Sequence, residues 1–168
     1  MEFVPNLNEE SDDAQLSNEM TFRRYQMNRV DLKHLFQELS LVEYIVMCIA
    51  AQKDKDHPLN PKKVYLEEIA ESLHMPVHKA SKIVGNLRDR GLLTWTHDGD
   101  GREGTYVVIT DMGRNTVEKQ ESVVKEFYGK VIRKFGKEKF IRLLYSMKKL
   151  EGIMYEEIEH MGGDSDDK

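Results

Sequence analysis

The sequence predicts a mainly α-helical protein with a small β-hairpin, and three observations predict it. The stretch LEEIAESLHMPVHKASKIVGNLRDRG holds two runs of helical apolar periodicity with a short break around His74–Pro76. Directly after it, LLTWTH and TYVVIT are β-branched and aromatic runs flanking the seven-residue loop DGDGREG, the pattern of a hairpin. Toward the C-terminus, Phe140, Leu143, Leu144, Met147, Leu150, Met154 and Ile158 recur at intervals of three and four, a seam that a second helix would cover. Together these describe a winged helix-turn-helix with a small β-hairpin wing, flanked by N- and C-terminal dimerisation helices.

Each element has a local reason. MEFVPNLNEESDD holds five acids and no base, so residues 1–16 read as an acidic disordered tail, matched by an acidic tail at 161–168 that ends DSDDK. Residues 17–39 carry Phe22, Val30, Leu35, Phe36 and Leu39 at helical intervals and form the N-terminal dimerisation helix. Ser40-Leu41-Val42-Glu43 has the form of a capping box and opens a helix over 41–52 that is apolar nearly all round, hence buried. QKDKDHPLNPKK is polar with two prolines, a surface loop, and Val64–Tyr65 can form a short strand.

YLEEIAESLHM follows as a short helix with Ile69, Ala70 and Leu73 inward. Pro76 marks the start of the next helix, and Gly91 its end. Thr110 is the expected N-cap of a helix over 111–135 that breaks near Gly136, and the last helix runs from 137 to about 160. The winged helix-turn-helix lobe is thus 40–113, and 114–160 supply the C-terminal dimerisation helices.

Bulk properties narrow the function. At 168 residues the chain is one domain in size and buries roughly two-thirds of its unfolded surface. With 33 % charged residues it reads as soluble, and its net charge of −5 is unevenly placed, so the tails and not the folded middle carry much of it. No stretch is long and apolar enough to span a bilayer, and the start lacks the basic-then-apolar pattern of a signal peptide. One cysteine forbids an intramolecular disulfide, and a cytoplasmic location is the default.

Gly99-Asp100-Gly101-Arg102-Glu103-Gly104 matches the dinucleotide fingerprint G-x-G-x-x-G letter for letter. That fingerprint works between a strand and a helix, because the pyrophosphate sits on the helix N-terminus. Here TYVVIT follows, a strand, so the match is an accident of composition. A calcium loop fails too, since Arg102 stands where a third ligand belongs and no closing glutamate follows in register. The six histidines are scattered without H-x-x-x-H spacing, and no G-x-S-x-G, H-E-x-x-H or Walker sequence is present. The expectation is no enzyme, no metal and no cofactor. Cys48, in IVMCIAA, reads as a buried structural thiol with no cation or base to favour its thiolate.

What remains is nucleic acid. On a helix over 76–90, Ala80, Ile83, Val84 and Leu87 form the core stripe. His78, Lys82 and Gly85 point directly away from it, with Ser81 to one side and Lys79 and Asn86 to the other. Lysine can donate to guanine, and serine to several bases or a phosphate. Gly85 would let the backbone approach closely despite weakening the helix by about 1 kcal/mol relative to alanine. Lys62, Lys63, Arg88, Arg90 and Arg114 are candidates for phosphate contacts, which position without specifying sequence. Asp89 also faces outward and is expected past the groove-contacting turns. The hairpin brings Arg102 to its tip, from where it can reach a narrow minor groove.

At this point the chain resembles the MarR (multiple-antibiotic-resistance regulator) family of bacterial transcription regulators. The residues that carry the resemblance are LEEIAESLHMPVHKASKIVGNLRDRGLL and the wing from Asp100 to Gly113, similar to the family's D-x-R-x-x-x-V-x-L-T-x-x-G pattern with Ile109 at its leucine position. The resemblance extends over roughly residues 17–160. It implies a homodimer on double-stranded DNA, with Asp100 bracing Arg102 in the wing. It also implies a crevice that often binds small aromatic effectors; Tyr25, Tyr44, Tyr65 and Trp95 either line it or belong to the core. The 52–63 loop is longer than the family's usual connection, and Pro76 and Val77 stand where small or polar residues often sit. The expected DNA-binding residues are therefore Val77, His78, Lys79, Ser81, Lys82, Asn86, Asp100 and Arg102, with self and possible small-molecule partners, no membrane, and repression as the expected outcome. The alternative is a winged-helix protein-interaction module without specific DNA binding.

Overall fold

The structure is a computed structural model that describes residues 7–55, 63–97 and 104–163. In chain order its elements are α1 (Asp13–Asn28), a 3-10 turn (Lys33–Leu35), α2 (Leu41–Lys55), β1 (Val64–Tyr65), α3 (Leu66–Ser72) and α4 (Val77–Asp89). They are followed by β2 (Leu93–His97), β3 (Thr105–Ile109), α5 (Asp111–Phe135) and α6 (Lys137–Gly163). The chain divides into two compact units, residues 1–120 and 121–168, with the boundary inside α5. The architecture is the one the sequence predicts, mainly α with a small antiparallel sheet. No helix among the described residues is long and apolar enough to cross a membrane.

In the first unit α1 begins earlier than expected, at Asp13 rather than 17. Asp12 and Gln15 form a capping box: the Gln15 amide donates to Asp12 Oδ1 at 2.8 Å, and the Asp12 amide to Gln15 Oε1 at 3.2 Å. The helix also ends earlier, at Asn28, so residues 17–39 are not one continuous helix. Asp31 Oδ1 accepts from the Lys33 amide at 2.9 Å, and this Asx turn starts the 3-10 turn instead of letting α1 continue. The predicted box at the head of α2 is present, with the Ser40 amide donating to Glu43 Oε2 at 2.8 Å and the Glu43 amide to Ser40 Oγ at 3.3 Å. Val46, Met47 and Ala50 of α2 are buried and Tyr44, Cys48, Ile49 and Ala51 pack half-buried against the core, while Leu41 and Ile45 are exposed.

The sheet has the order β1–β3–β2, with Val64 opposite Val107, Leu93 opposite Ile109 and His97 opposite Thr105. The hairpin therefore gains the short strand at Val64–Tyr65 as a third member. Leu39, Val46, Met47, Val64, Ile69, Val84, Leu87, Leu93 and Val107 are fully enclosed where the helices meet this sheet. Each such side chain contributes roughly 1.5–3 kcal/mol relative to exposure.

α3 and α4 end in the same way. After α3, the His74 amide donates to the Glu71 carbonyl and the Met75 amide to the Ala70 carbonyl, both at 3.0 Å. After α4, the Gly91 amide donates to the Arg88 carbonyl at 2.8 Å and the Leu92 amide to the Leu87 carbonyl at 3.0 Å. Both are Schellman closures, which need a left-handed residue at the turn. Gly91 supplies it at φ +73°, as expected, whereas at the helix-turn-helix corner His74 adopts φ +47°. Pro76 is the N-cap of α4 rather than its first residue.

Thr110 caps α5 as predicted, accepting from the Gly113 amide at 2.9 Å. Its hydroxyl lies 2.8 Å from the Gly91 carbonyl and 3.1 Å from that of Leu92, so it pins the end of α4 to the start of α5. Gly113 is enforced by this junction, because a Cβ there would lie 2.2 Å from the Leu92 carbonyl oxygen.

In the second unit α5 ends at Phe135, ahead of Gly136 (φ +99°), whose amide donates to the Ile132 carbonyl at 2.8 Å. Lys130 pairs with Glu126 at 2.7 Å and holds that carboxyl below the ordinary carboxylate range, by hydrogen bond first and charge second. α6 runs to Gly163, three residues beyond the expected 160, and at 27 residues is about 40 Å long. Its seam is open: Leu143, Leu144, Met147, Leu150 and Ile158 are 40–59 % exposed.

Candidate nucleic-acid interface

α4 presents two faces. Ala80, Val84 and Leu87 are completely buried and Ile83 is half-buried against the core, the stripe the periodicity predicts. On the other side Val77, His78, Lys79, Lys82 and Asn86 are exposed and Ser81 is half-buried. The helix thus gathers six of the eight residues singled out from sequence onto its outer side and first turns. Asp100 and Arg102, and with them Lys62, lie outside the described residues. Pro76 brings no side-chain acceptor to the head of α4. The Lys79 amide donates to the Pro76 carbonyl at 2.9 Å, and those of Val77 and His78, without a partner among the described residues, are open to an anion.

Gly85 stands elsewhere than predicted. It does not look straight out from the helix; it is half-buried under Trp95, whose Cζ3 would lie 3.8 Å from a Cβ at that position. Trp95 packs on the core as well, and its buried Nε1 has no hydrogen-bond partner among the described residues. The wing strand β2 therefore leans on the second half of α4. Leu93 and Trp95 share one face of β2 by strand alternation and Leu93 is buried, so this contact was latent in the period-two pattern.

Of the cations expected to meet phosphates, the four among the described residues are engaged within the chain. Arg88 donates to Asp89 Oδ1 through Nε (2.9 Å) and Nη2 (2.7 Å), and its guanidinium lies 5.3 Å from the Trp95 ring centroid. Asp89 is thereby paired with its neighbour. Arg90 Nη2 donates to the Glu38 carbonyl at 2.6 Å and Nη1 to Glu43 Oε1 at 3.3 Å, tying the end of α4 to the entry of α2. Arg114 pairs with Asp111, and Lys63 sits 4.5 Å from the Tyr106 ring centroid. The clamp made by Arg90 had no sequence signal, because its partners lie 47 and 52 positions away.

The four aromatic residues grouped from sequence are not brought together. Tyr44 faces Phe36 at 5.7 Å, Tyr65 meets Tyr106 edge-on at 6.2 Å, Trp95 covers α4, and Tyr25 is exposed and accepts a bond from Arg29. Cys48 is half-buried against the core. Among the described residues no three His, Cys, Asp or Glu side chains lie close enough to hold a metal ion.

No family model matches the sequence, and no curated protein does. Solved structures do match. NMB1585, a MarR-family regulator from Neisseria meningitidis, is 21 % identical with a TM-score of 0.65, over 87 % of this chain and 97 % of its own. The transcriptional regulator BldR from Sulfolobus solfataricus is 14 % identical with a TM-score of 0.67, over 84 % of this chain and 99 % of its own. CouR from Rhodococcus jostii RHA1, solved bound to p-coumaroyl-CoA, is 16 % identical with a TM-score of 0.65, over 80 % of this chain and 93 % of its own. The chain has the winged helix-turn-helix fold of the MarR-family transcriptional regulators.

Proposed function

We propose that this chain is a sequence-specific DNA-binding transcription regulator that acts in the cytoplasm as a homodimer on an inverted-repeat operator. The observation that carries the reading is the division of α4: a fully buried stripe holds it to the lobe, and the opposite side offers His78, Lys79, Lys82 and Asn86 to solvent beside a hairpin. In the bound state α4 enters the major groove, where Lys82 and Asn86 meet base edges and Ser81, Lys79 and the first-turn amides of Val77 and His78 meet phosphates. The wing, with Asp100 bracing Arg102, follows the adjacent minor groove.

The open seam of α6 supports the homodimer, with residues 17–39 and 114–160 as dimerisation segments and half-site centres about one helical turn apart. Occupancy of such a site blocks polymerase, which makes the regulator a repressor. Small-molecule control is supported by the likeness to CouR, which was solved with a bound ligand.

Selection of the purified protein against a random-sequence duplex pool tests this reading. Enrichment of an inverted repeat is expected; no enrichment at low salt refutes it. One observation favours the alternative of a protein-docking winged module. The net charge is −5, and Arg88, Arg90 and Arg114 spend their guanidinium groups inside the chain. In that case binding to DNA shows neither sequence preference nor a steep salt dependence.

A further inference from the structure

Arg88 and Arg90 both end α4 in an ion pair, but the two pairs differ in how firmly they hold. Arg88 donates through Nε and Nη2 to a single oxygen, Asp89 Oδ1, and the two side chains are 48 % and 66 % exposed. An exposed pair of this kind shifts an equilibrium by no more than about fivefold. Arg90 is held harder, because its partner Glu43 is only 18 % exposed and its second nitrogen holds the Glu38 carbonyl. Arg88 is therefore the guanidinium that another anion can take over, and Arg90 is structural.

Trp95 keeps Arg88 in place whichever anion it meets. The guanidinium lies over the indole, 5.3 Å from its centroid, and the indole is itself fixed against the core and Gly85. A cation over a ring face keeps its N–H donors for hydrogen bonds. Ser81, Gly85 and Arg88, spaced by four and three, share one row of α4. Trp95 covers that row at Gly85 and Arg88, so the row is the flank of α4 that faces β2. With α4 in a major groove and the hairpin in the adjacent minor groove, the phosphate backbone between the two grooves passes along this flank.

We propose that Arg88 is a gated phosphate ligand: Trp95 positions its guanidinium at the junction of α4 and β2, Asp89 occupies its donors in the free protein, and a DNA phosphate replaces Asp89 in the complex. The proposal deepens the reading of the chain as a DNA-binding regulator and rests on it. If no operator is enriched from a random pool, that reading fails and takes the proposal with it. An enriched operator that Arg88 does not touch sinks the proposal alone.

Fluorescence anisotropy of the full chain on the selected operator and on an unrelated duplex, across a salt series, provides the test. Asp89→Asn removes the competing carboxylate and is expected to tighten binding to both duplexes. Arg88→Gln is then placed on Asp89→Asn, where no unpaired Asp89 charge is left to repel DNA and imitate a lost contact. It is expected to weaken both duplexes alike, by about tenfold, as loss of a charge-assisted bond does, and to flatten the slope of log K against log salt by about one. An unchanged salt slope overturns the phosphate contact. In the same Asp89→Asn background, Trp95→Leu removes the ring under the guanidinium and is expected to shrink the effect of Arg88→Gln to about threefold or less, while Trp95→Phe restores most of it. Trp95→Met keeps apolar cover without a ring and serves if the leucine variant unfolds. An Arg88→Gln effect that stays at full size without the ring overturns the positioning by Trp95.

Discussion

Replacing Gly113 by alanine sets two physical effects of opposite sign against each other. Helix propensity alone makes Gly→Ala within α5 stabilising by about 1 kcal/mol. Packing says otherwise. The new Cβ would stand 2.2 Å from the Leu92 carbonyl oxygen, 2.9 Å from Ile109 Cγ1 and 3.0 Å from Met47 Cε. The methionine methyl can swing away, but the carbonyl cannot, since it accepts the Thr110 amide at 3.1 Å and follows the closure of α4. Relief requires α5 to back off by about 1 Å, loosening the Thr110 cap and the β3 junction. Overpacking of this kind costs about 1–3 kcal/mol, occasionally more, and here falls at the upper end because the obstacle is backbone.

The net expectation after the propensity gain is a loss of about 2 kcal/mol, or a Tm lower by about 4–8 °C for a chain of this length. Urea and thermal unfolding followed by circular dichroism measure it. Gly152→Ala is the internal control: a Cβ there meets nothing within 4 Å, so propensity acts alone and Tm should rise. An unchanged or raised Tm for Gly113→Ala would refute the packing argument.

Lys82→Ala should leave unfolding stability within about half a kcal/mol of the parent, because the side chain is exposed, and weaken operator binding by roughly 1–3 kcal/mol. Equal loss on operator and unrelated duplex in fluorescence anisotropy would reduce Lys82 to a phosphate contact. Arg102→Ala should lower affinity with little change in melting temperature; a large fall would make the residue structural. At the helix-turn-helix corner, His74→Val puts a β-branched residue at φ +47° and should cost about 1–2 kcal/mol, whereas His74→Gly should not destabilise; matching unfolding curves for the two would contradict the left-handed turn. Leu150→Lys, in the open seam of α6, should convert a dimer to monomer in sedimentation velocity, and an unaltered mass would place the interface elsewhere.

Local chemistry alone determined much of this protein. Ser40 with Glu43, Thr110 ahead of α5, Gly91 after α4, and the alternating strands around the glycine-rich loop are interactions within a few residues, so their signals sit together in the chain. The stripe of α4 was legible for the same reason: 3.6-residue periodicity fixes which side chains share a side, and hence which residues are left facing out. The box of Asp12 and Gln15 ahead of α1 and the Asx turn at Asp31 are equally local, set within an acidic stretch and within a run of helical apolar spacing.

Tertiary structure decided the rest. Trp95 came to cover Gly85, Arg90 reached back across 47 residues to Glu43, and Gly113 became obligatory because a carbonyl 21 positions earlier lies against it. Each depends on where two distant segments meet when the core closes. Periodicity tells which side of an element faces inward; only the packed lobe determines which residue stands opposite.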